Sequence, residues 1–194
     1  MRRYLIALLL LAAAIAQAGC LFEPREPEEP GTATEQYPWV IPNRPKDVFT
    51  NLKSGLASNL DSNYERSLDP NFTFIPSDDA LSVYPGSFVE PWTKAVELNV
   101  LALIKTNYPG ARTVQFGDAN LNFEKENEQV GIATYEGPYT ITLTLGDGST
   151  ETYAARALFT IVQGSQGWVL KIWEDIEASG SNPTSGILRG ALRS

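Results

Sequence analysis

Tyr139, Thr140, Ile141, Thr142, Leu143, Thr144 and Leu145 alternate apolar with hydroxylated side chains, and Gly146, Asp147 and Gly148 follow at once. A period of two places the tyrosine, isoleucine and leucines on one face and the threonines on the other. The stretch therefore predicts a strand with one dry and one wet face that turns at the glycines. The alternation resumes at Tyr153, Ala155, Ala157, Phe159 and Ile161, breaks from Gly164 to Gly167, and returns in Trp168, Leu170 and Ile172. Upstream, Val114 and Phe116 alternate, Gly117 to Asn120 shift the phase, and Leu121 and Phe123 resume it, which suggests a bulge that bends the sheet. The polar run Glu124 to Gln129 reads as a turn. From Arg112 to about Glu177 the chain is thus expected to form four long consecutive strands in an antiparallel meander.

The leading half is helical. Val48, Phe49, Leu52, Leu56 and Leu60 recur at three- and four-residue steps, one apolar stripe of a helix over 47–60 that Gly55 weakens. Asp61 caps a second short helix through Leu68, and Pro70 stops it. Phe72 and Phe74 alternate in a short strand ended by Pro76, followed by a loop rich in Ser, Asp, Pro and Gly. Pro91 suits the first turn of a third helix to about Lys105, with Trp92, Val96, Leu98, Leu101, Ala102 and Ile104 as its apolar surface and Glu90 paired to Lys94.

Two helices, a short strand, a third helix and four antiparallel strands resemble the NTF2-like superfamily, the cone-shaped fold shared with ketosteroid isomerase. The resemblance runs from about Asp47 to Glu177. It is most specific in the last strand, Trp168, Val169, Leu170, Lys171, Ile172, Trp173, Glu174 and Asp175, an aromatic-rich strand ending in an acidic residue. It implies an α+β cone in which three N-terminal helices pack in a curved antiparallel sheet around a pocket. Tyr64, Trp92, Tyr135, Tyr139, Tyr153, Trp173 and Asp175 are the candidates to line that pocket; the competing reading makes these aromatics plain core. Of these, Trp92, Tyr135, Tyr153 and Trp173 are the ligand-binding candidates. In isomerase-type members a buried carboxylate moves protons beside a hydroxyl donor, a role the resemblance would give to Asp175 with Tyr139 or Tyr64. An epoxide-hydrolase-like set, two acids and an arginine around a water, would use Arg156 with Asp175 or Asp118. Alternatively, Arg156 and Asp175 form a cross-strand ion pair on the outer face.

Composition narrows the chemistry. With 194 residues, 43% hydrophobic and 20% charged, the chain has the makeup of a folded protein of one domain or two small ones. It contains no histidine and one cysteine, which removes imidazole catalysis, an internal disulfide, a thiolate zinc cluster and a Cys-X-X-Cys pair. The adjacent Asp78 and Asp79, and the alternating Glu124, Glu126 and Glu128, lack the layout of a calcium loop; neither a metal site nor a cofactor is read from the chain.

Met1, Arg2, Arg3 and Tyr4 precede 12 residues, Leu5 to Ala16, drawn only from Leu, Ile and Ala. That is an export signal, too short for the about 20 residues that a spanning helix needs. Gln17, Ala18 and Gly19 then lead into Cys20, which resembles a bacterial lipoprotein signal, although Gln17 stands where leucine is usual. The resemblance implies cleavage before Cys20 and a diacylglyceryl anchor, palmitate-type chains included, on its thiol. An ordinary signal cut after Ala18 is the other reading, and it leaves Cys20 a stray thiol. Leu21 rather than Asp is associated with outer-membrane delivery, facing the periplasm or the exterior.

The expected organisation is a signal peptide at 1–19, a lipidated cysteine and proline- and glutamate-rich tether at 20–45, the NTF2-like domain at 46–178 and a tail at 179–194 that either folds back or stays loose. Within the tether Tyr37, Trp39, Val40 and Ile41 form an apolar cluster able to dock on the domain. Loss of Arg2 and Arg3 leaves 13 basic against 23 acidic side chains, a formal charge of −10 that disfavours nucleic acid. Two functions are compatible with these features. One is a membrane-anchored, non-catalytic module binding a small apolar ligand or an envelope protein, or pairing as a homodimer through Thr140, Thr142 and Thr144. The other is a cofactor-independent isomerase, cyclase or dehydratase using Asp175.

Overall fold

The computed structural model describes residues 39–59 and 61–194. In chain order they form helices α1 (Asp47–Ala57) and α2 (Asp61–Ser67), strand β1 (Leu68–Ile75), helix α3 (Asp78–Val83), a 3-10 turn (Pro85–Phe88), helix α4 (Lys94–Asn107), strands β2 (Arg112–Phe116), β3 (Lys125–Gln129), β4 (Ile132–Thr144), β5 (Thr150–Gly164) and β6 (Gly167–Ala178), and helix α5 (Ser185–Arg193). Cys20, the signal, and the tether as far as residue 38 lie outside the described residues, as do the side chains of Tyr37 and Leu60.

β4, β5 and β6 form the expected meander, and the sheet order is β1-β6-β5-β4-β2. Tyr135, Tyr139, Ile141 and Leu143 of β4 are buried, whereas Thr140, Thr142 and Thr144 between them are half-buried on the outer face. β1 joins β6 in parallel and is longer than the expected short strand, running through Pro70 from Leu68. Pro70 has no N–H to give a ladder, and it stands on the sheet's edge strand, where proline is tolerated.

The run Glu124 to Gln129 is not the expected turn. Its residues 125–129 are β3, paired antiparallel with Glu136 to Ile132, and the turn is Val130 and Gly131. All five β3 residues are exposed, so no buried face imposes a period of two on the sequence. β2 covers the other half of the same edge, Tyr139 to Leu143. Between β2 and β3 the chain leaves the ladder at Gly117, whose φ of +59° suits glycine and whose N–H donates to the Pro138 carbonyl at 2.8 Å. The expected phase shift at Gly117 is therefore a break between two short strands on one edge.

The helices fill the concave face. Phe49 of α1 meets the rings of Phe116, Phe123, Tyr135 and Phe159 at centroid distances of 4.9, 4.9, 5.6 and 5.2 Å. α4 begins at Lys94 rather than Pro91. Thr93 is its N-cap, and Lys94 reaches the Leu68 carbonyl at 2.9 Å instead of pairing with Glu90. The expected loop before it contains α3 and the 3-10 turn. The apolar cluster before α1 does dock in part. Asn51 exchanges two hydrogen bonds with the Val40 backbone, of 2.9 and 2.7 Å, and Arg66 lies 4.0 Å from the Trp39 ring, while Ile41 is exposed.

Gly55 decides how α1 meets α2. A Cβ there would lie 2.5 Å from the Tyr64 backbone nitrogen. Gly→Ala inside a helix ordinarily stabilises by about 1 kcal/mol. Gly55→Ala is expected to do the reverse and cost more than about 1 kcal/mol by overpacking, read as a lowered urea midpoint at unchanged slope.

Candidate functional site

α4 turns Val100, Leu101 and Ile104 into the core, and Glu97 lies on the same stripe, buried to 3% exposure. Of the expected apolar surface, Trp92, Leu101 and Ile104 are buried and Val96 and Leu98 pack half-buried against the core, but Ala102 is exposed and Glu97 and Val100, not on the expected face, are buried. Both Glu97 oxygens are doubly engaged. Oε1 accepts from the Tyr64 hydroxyl at 2.7 Å and from Arg189 Nη2 at 2.7 Å; Oε2 accepts from Trp92 Nε1 at 2.9 Å and from Arg189 Nε at 3.0 Å. Arg189 comes from the tail, which folds back as α5 rather than staying loose. Gly186 and Gly190 let that helix approach the side chains of Ala80 and Tyr84, where a Cβ would stand at 2.8 Å.

Asp175 lies across the same space, 3% exposed, at the inward-facing end of β6. Its Oδ1 accepts from the Tyr139 hydroxyl and from Trp173 Nε1, both at 2.9 Å; its Oδ2 accepts from Ser185 Oγ at 3.0 Å and from the Gly186 N–H at 2.9 Å. Ser185 also accepts from Arg189 Nη1, which joins the two carboxylates through one hydroxyl. The result is an acid–arginine–acid set built on Arg189, not on Arg156. Arg156 points to the outer face, where it pairs with Glu124, Glu136 and Glu177 at 2.6, 2.9 and 3.2 Å. Asp175 faces inward, and Asp118 is taken by the backbone N–H groups of Asn120 and Asn122 in its own loop, so neither expected partner of Arg156 is the real one.

The electrostatics of the two acids differ. Burial pushes Glu97 up, but the Arg189 charge and the four donors outweigh it and hold the carboxyl below the ordinary value. Burial pushes Asp175 up as well, and here Arg189, Tyr139, Ser185 and Trp173 only partly offset it, so its proton affinity is raised. Tyr64 and Tyr139 are raised well above 10, first by burial and then by the charge of Glu97 and of Asp175. For Arg189 burial works against the charge, and Glu97 more than restores it.

Four sequence candidates, Tyr64, Trp92, Tyr139 and Trp173, converge with Asp175 on this network. Tyr135 and Tyr153 do not. Tyr153 pairs with Ile141, six residues along β4 from Tyr135, a separation of about 20 Å at strand rise. The Tyr135 hydroxyl donates to Glu128 beside a polar cleft of about 420 Å³ bordered by Lys46 and Asp47. The Tyr153 hydroxyl shares Glu151 with Tyr108, at 2.7 and 2.6 Å. Glu97, Ser185 and Arg189 escaped the sequence reading, although a charged residue on each apolar helical stripe is a signal that one sequence does carry.

The hollow left among Tyr64, Glu97, Leu101, Trp173 and Arg189 is about 20 Å³. That is room for about one water, against the several hundred Å³ of a small-molecule pocket. Neither carboxylate has an oxygen with fewer than two donors.

No family model and no curated protein matches the chain. Solved structures do. A Kribbella flavida protein superposes with a TM-score of 0.55 at 12% identity, covering 74% of this chain and 92% of that one. An NTF2-like superfamily protein from Salmonella enterica gives 0.50 at 13% identity over 71% and 90%, and an NTF2-like protein with a cystatin-like fold from Novosphingobium aromaticivorans gives 0.52 at 9% over 70% and 80%. The fold is the expected α+β, NTF2-like cone.

Removing Arg189 leaves the Glu97 charge buried without a counter-ion, so Arg189→Ala is expected to cost about 3–5 kcal/mol in urea unfolding. Glu97 titrates lower in the folded than in the unfolded chain. Its stabilisation is therefore full above the ordinary value of 4.5 and is lost as pH falls through the folded value. Glu97→Gln should lose more stability relative to the unaltered protein at about pH 7 than at about pH 3. An equal loss at both would contradict the assignment.

Proposed function

We propose that the protein is a membrane-anchored envelope lipoprotein whose NTF2-like domain is a non-catalytic module that engages a partner protein. The observation that carries the non-catalytic part is the filled cone. A hollow of about 20 Å³ leaves no room for the small apolar ligand that the same sequence features allow, which favours the partner among the two. The half-buried Thr140, Thr142 and Thr144 face supplies a surface on which a partner or a second copy can pair. The anchor rests on the signal-like segment before Cys20. Several acyl chains at about 0.8 kcal/mol per buried methylene hold a protein to a bilayer, where one would be marginal.

The second reading, a cofactor-independent isomerase, cyclase or dehydratase, has one observation in its favour. Asp175 is buried, its proton affinity is raised, and Tyr139 donates to it at 2.9 Å. Against it stand the two donors on each Asp175 oxygen and the lack of space for a substrate.

The test is mild extraction of the full chain from its own membranes, followed by native mass spectrometry. A second polypeptide and no small apolar molecule is the expected result; a retained apolar ligand would overturn the partner reading. Cys20→Ser is expected to abolish acyl labelling and move the protein out of the membrane fraction. Retention of the serine variant in the membrane would refute the lipid anchor.

A further inference from the structure

The Arg189 guanidinium lies 4.2 Å from the Phe74 ring centroid and 4.5 Å from that of Trp173, and its Nε and Nη2 both meet Glu97. Aromatic walls use the faces of a planar cation, and a carboxylate takes its edge with two hydrogen bonds. That combination fits a weakly hydrated guanidinium, whereas an ammonium would make a single point contact. None of these groups belongs to the element that carries Arg189. Phe74 is on β1, Glu97 on α4 and Trp173 on β6, so the cage is a receptor built by the cone and its occupant is delivered by the tail.

The delivery is by a short helix at the end of the chain. α5 has nine residues, a length at which an isolated helix is marginal. Residues 179–183, which join it to β6, are all exposed, and Leu188 is the one hydrophobic side chain of α5 in the buried core. Docking of α5 therefore leans largely on polar anchors: Arg189 on Glu97, Ser185 and Gly186 on Asp175, the Ser185 N–H on the Tyr139 hydroxyl, the Ser77 and Thr184 hydroxyls on each other, and the Ser87 hydroxyl on the Gly190 carbonyl, with Leu192 packed half-buried against the core. When α5 lifts, Glu97 loses its counter-ion while keeping its Tyr64 and Trp92 donors, and the ring faces of Phe74 and Trp173 are uncovered. What remains is an anionic, aromatic slot of guanidinium shape.

We propose that the mouth of the cone is a guanidinium-binding cage, closed in cis by Arg189, that takes a guanidinium group presented from outside when the C-terminal helix undocks. A free guanidine and an arginine side chain of another protein share this chemistry. The site stands independently of the membrane anchor and of the partner reading.

The full chain carrying Arg189→Ala keeps Cβ and lacks the atoms that ethylguanidinium supplies. Ethylguanidinium is expected to raise the melting temperature of this variant in a saturable way, at least about tenfold more effectively than ethylammonium. It should not raise that of the unaltered protein or of the variant with Glu97→Gln added. A synthetic peptide of residues 184–194 distinguishes the sources: tighter binding than ethylguanidinium, lost in the peptide lacking the arginine at 189, indicates a protein-borne arginine, and weaker binding indicates a free guanidine. No saturable stabilisation, or an equal response to ethylammonium, overturns the proposal. Should Arg189→Ala not fold, hydrogen exchange on the unaltered chain decides it. Millimolar N-acetyl-arginine methylamide, but not its lysine counterpart, is expected to speed exchange of amides 187–192 without affecting the sheet. Unchanged exchange of the tail overturns the proposal.

Discussion

Arg189 and Glu97 are 92 residues apart in the chain and meet inside the cone with 4% of each side chain exposed. Burying two ions costs several kcal/mol each before any pairing, and the attraction offsets this only if the geometry is good and the remaining lone pairs are occupied. Here they are. Tyr64 and Trp92 complete Glu97, Ser185 completes the guanidinium, and Phe74 and Trp173 cover its faces. The positions of α2, α4, β6 and α5 are mutually fixed through this one contact. Gly55 belongs to the same constraint, because the close approach of α1 to α2 carries the Tyr64 hydroxyl to its carboxylate.

The same contact organises the second buried carboxylate. The polar groups of the interior are paired with one another and with the tail. Asp175 has the environment of a proton-transfer carboxylate, buried beside a tyrosine, yet its oxygens cap the start of α5 and hold Tyr139 and Trp173. A carboxylate with four donors has its lone pairs engaged and orients its surroundings. The polar groups of the interior thus dock the tail.

Where one face of an element is dry and the other wet, local pattern and structure agree. β4 and β5 are the examples, with Tyr139 to Thr144 alternating in burial as in chemistry. β3 is wet on both faces, so Lys125 to Gln129 carry no period and read as a turn. α4 misled in the opposite way. Its buried stripe includes Glu97, which counting only apolar residues passes over while including the exposed Ala102. Arg156 was legible as an outer-face ion-pairing residue, but its partners Glu124, Glu136 and Glu177 come from three separate stretches of chain, and no local spacing distinguishes them from Asp175. Tyr135 and Tyr153 looked equivalent to Tyr139 by pattern, and only register along the sheet separates them.

Local pattern establishes α1, α2, α4, the long strands, the α+β class and the dry face of the central sheet, because backbone geometry ties those to periods of two and 3.6 residues that neighbouring side chains display, whereas the short α3, the all-exposed β3 and α5 show no such period clearly enough to be read. Tertiary structure alone decided which charges share the interior. A buried glutamate and a buried arginine are each unfavourable on their own, and each becomes tolerable only through the other. Which pair that is depends on how a tail helix closes over the mouth of the cone.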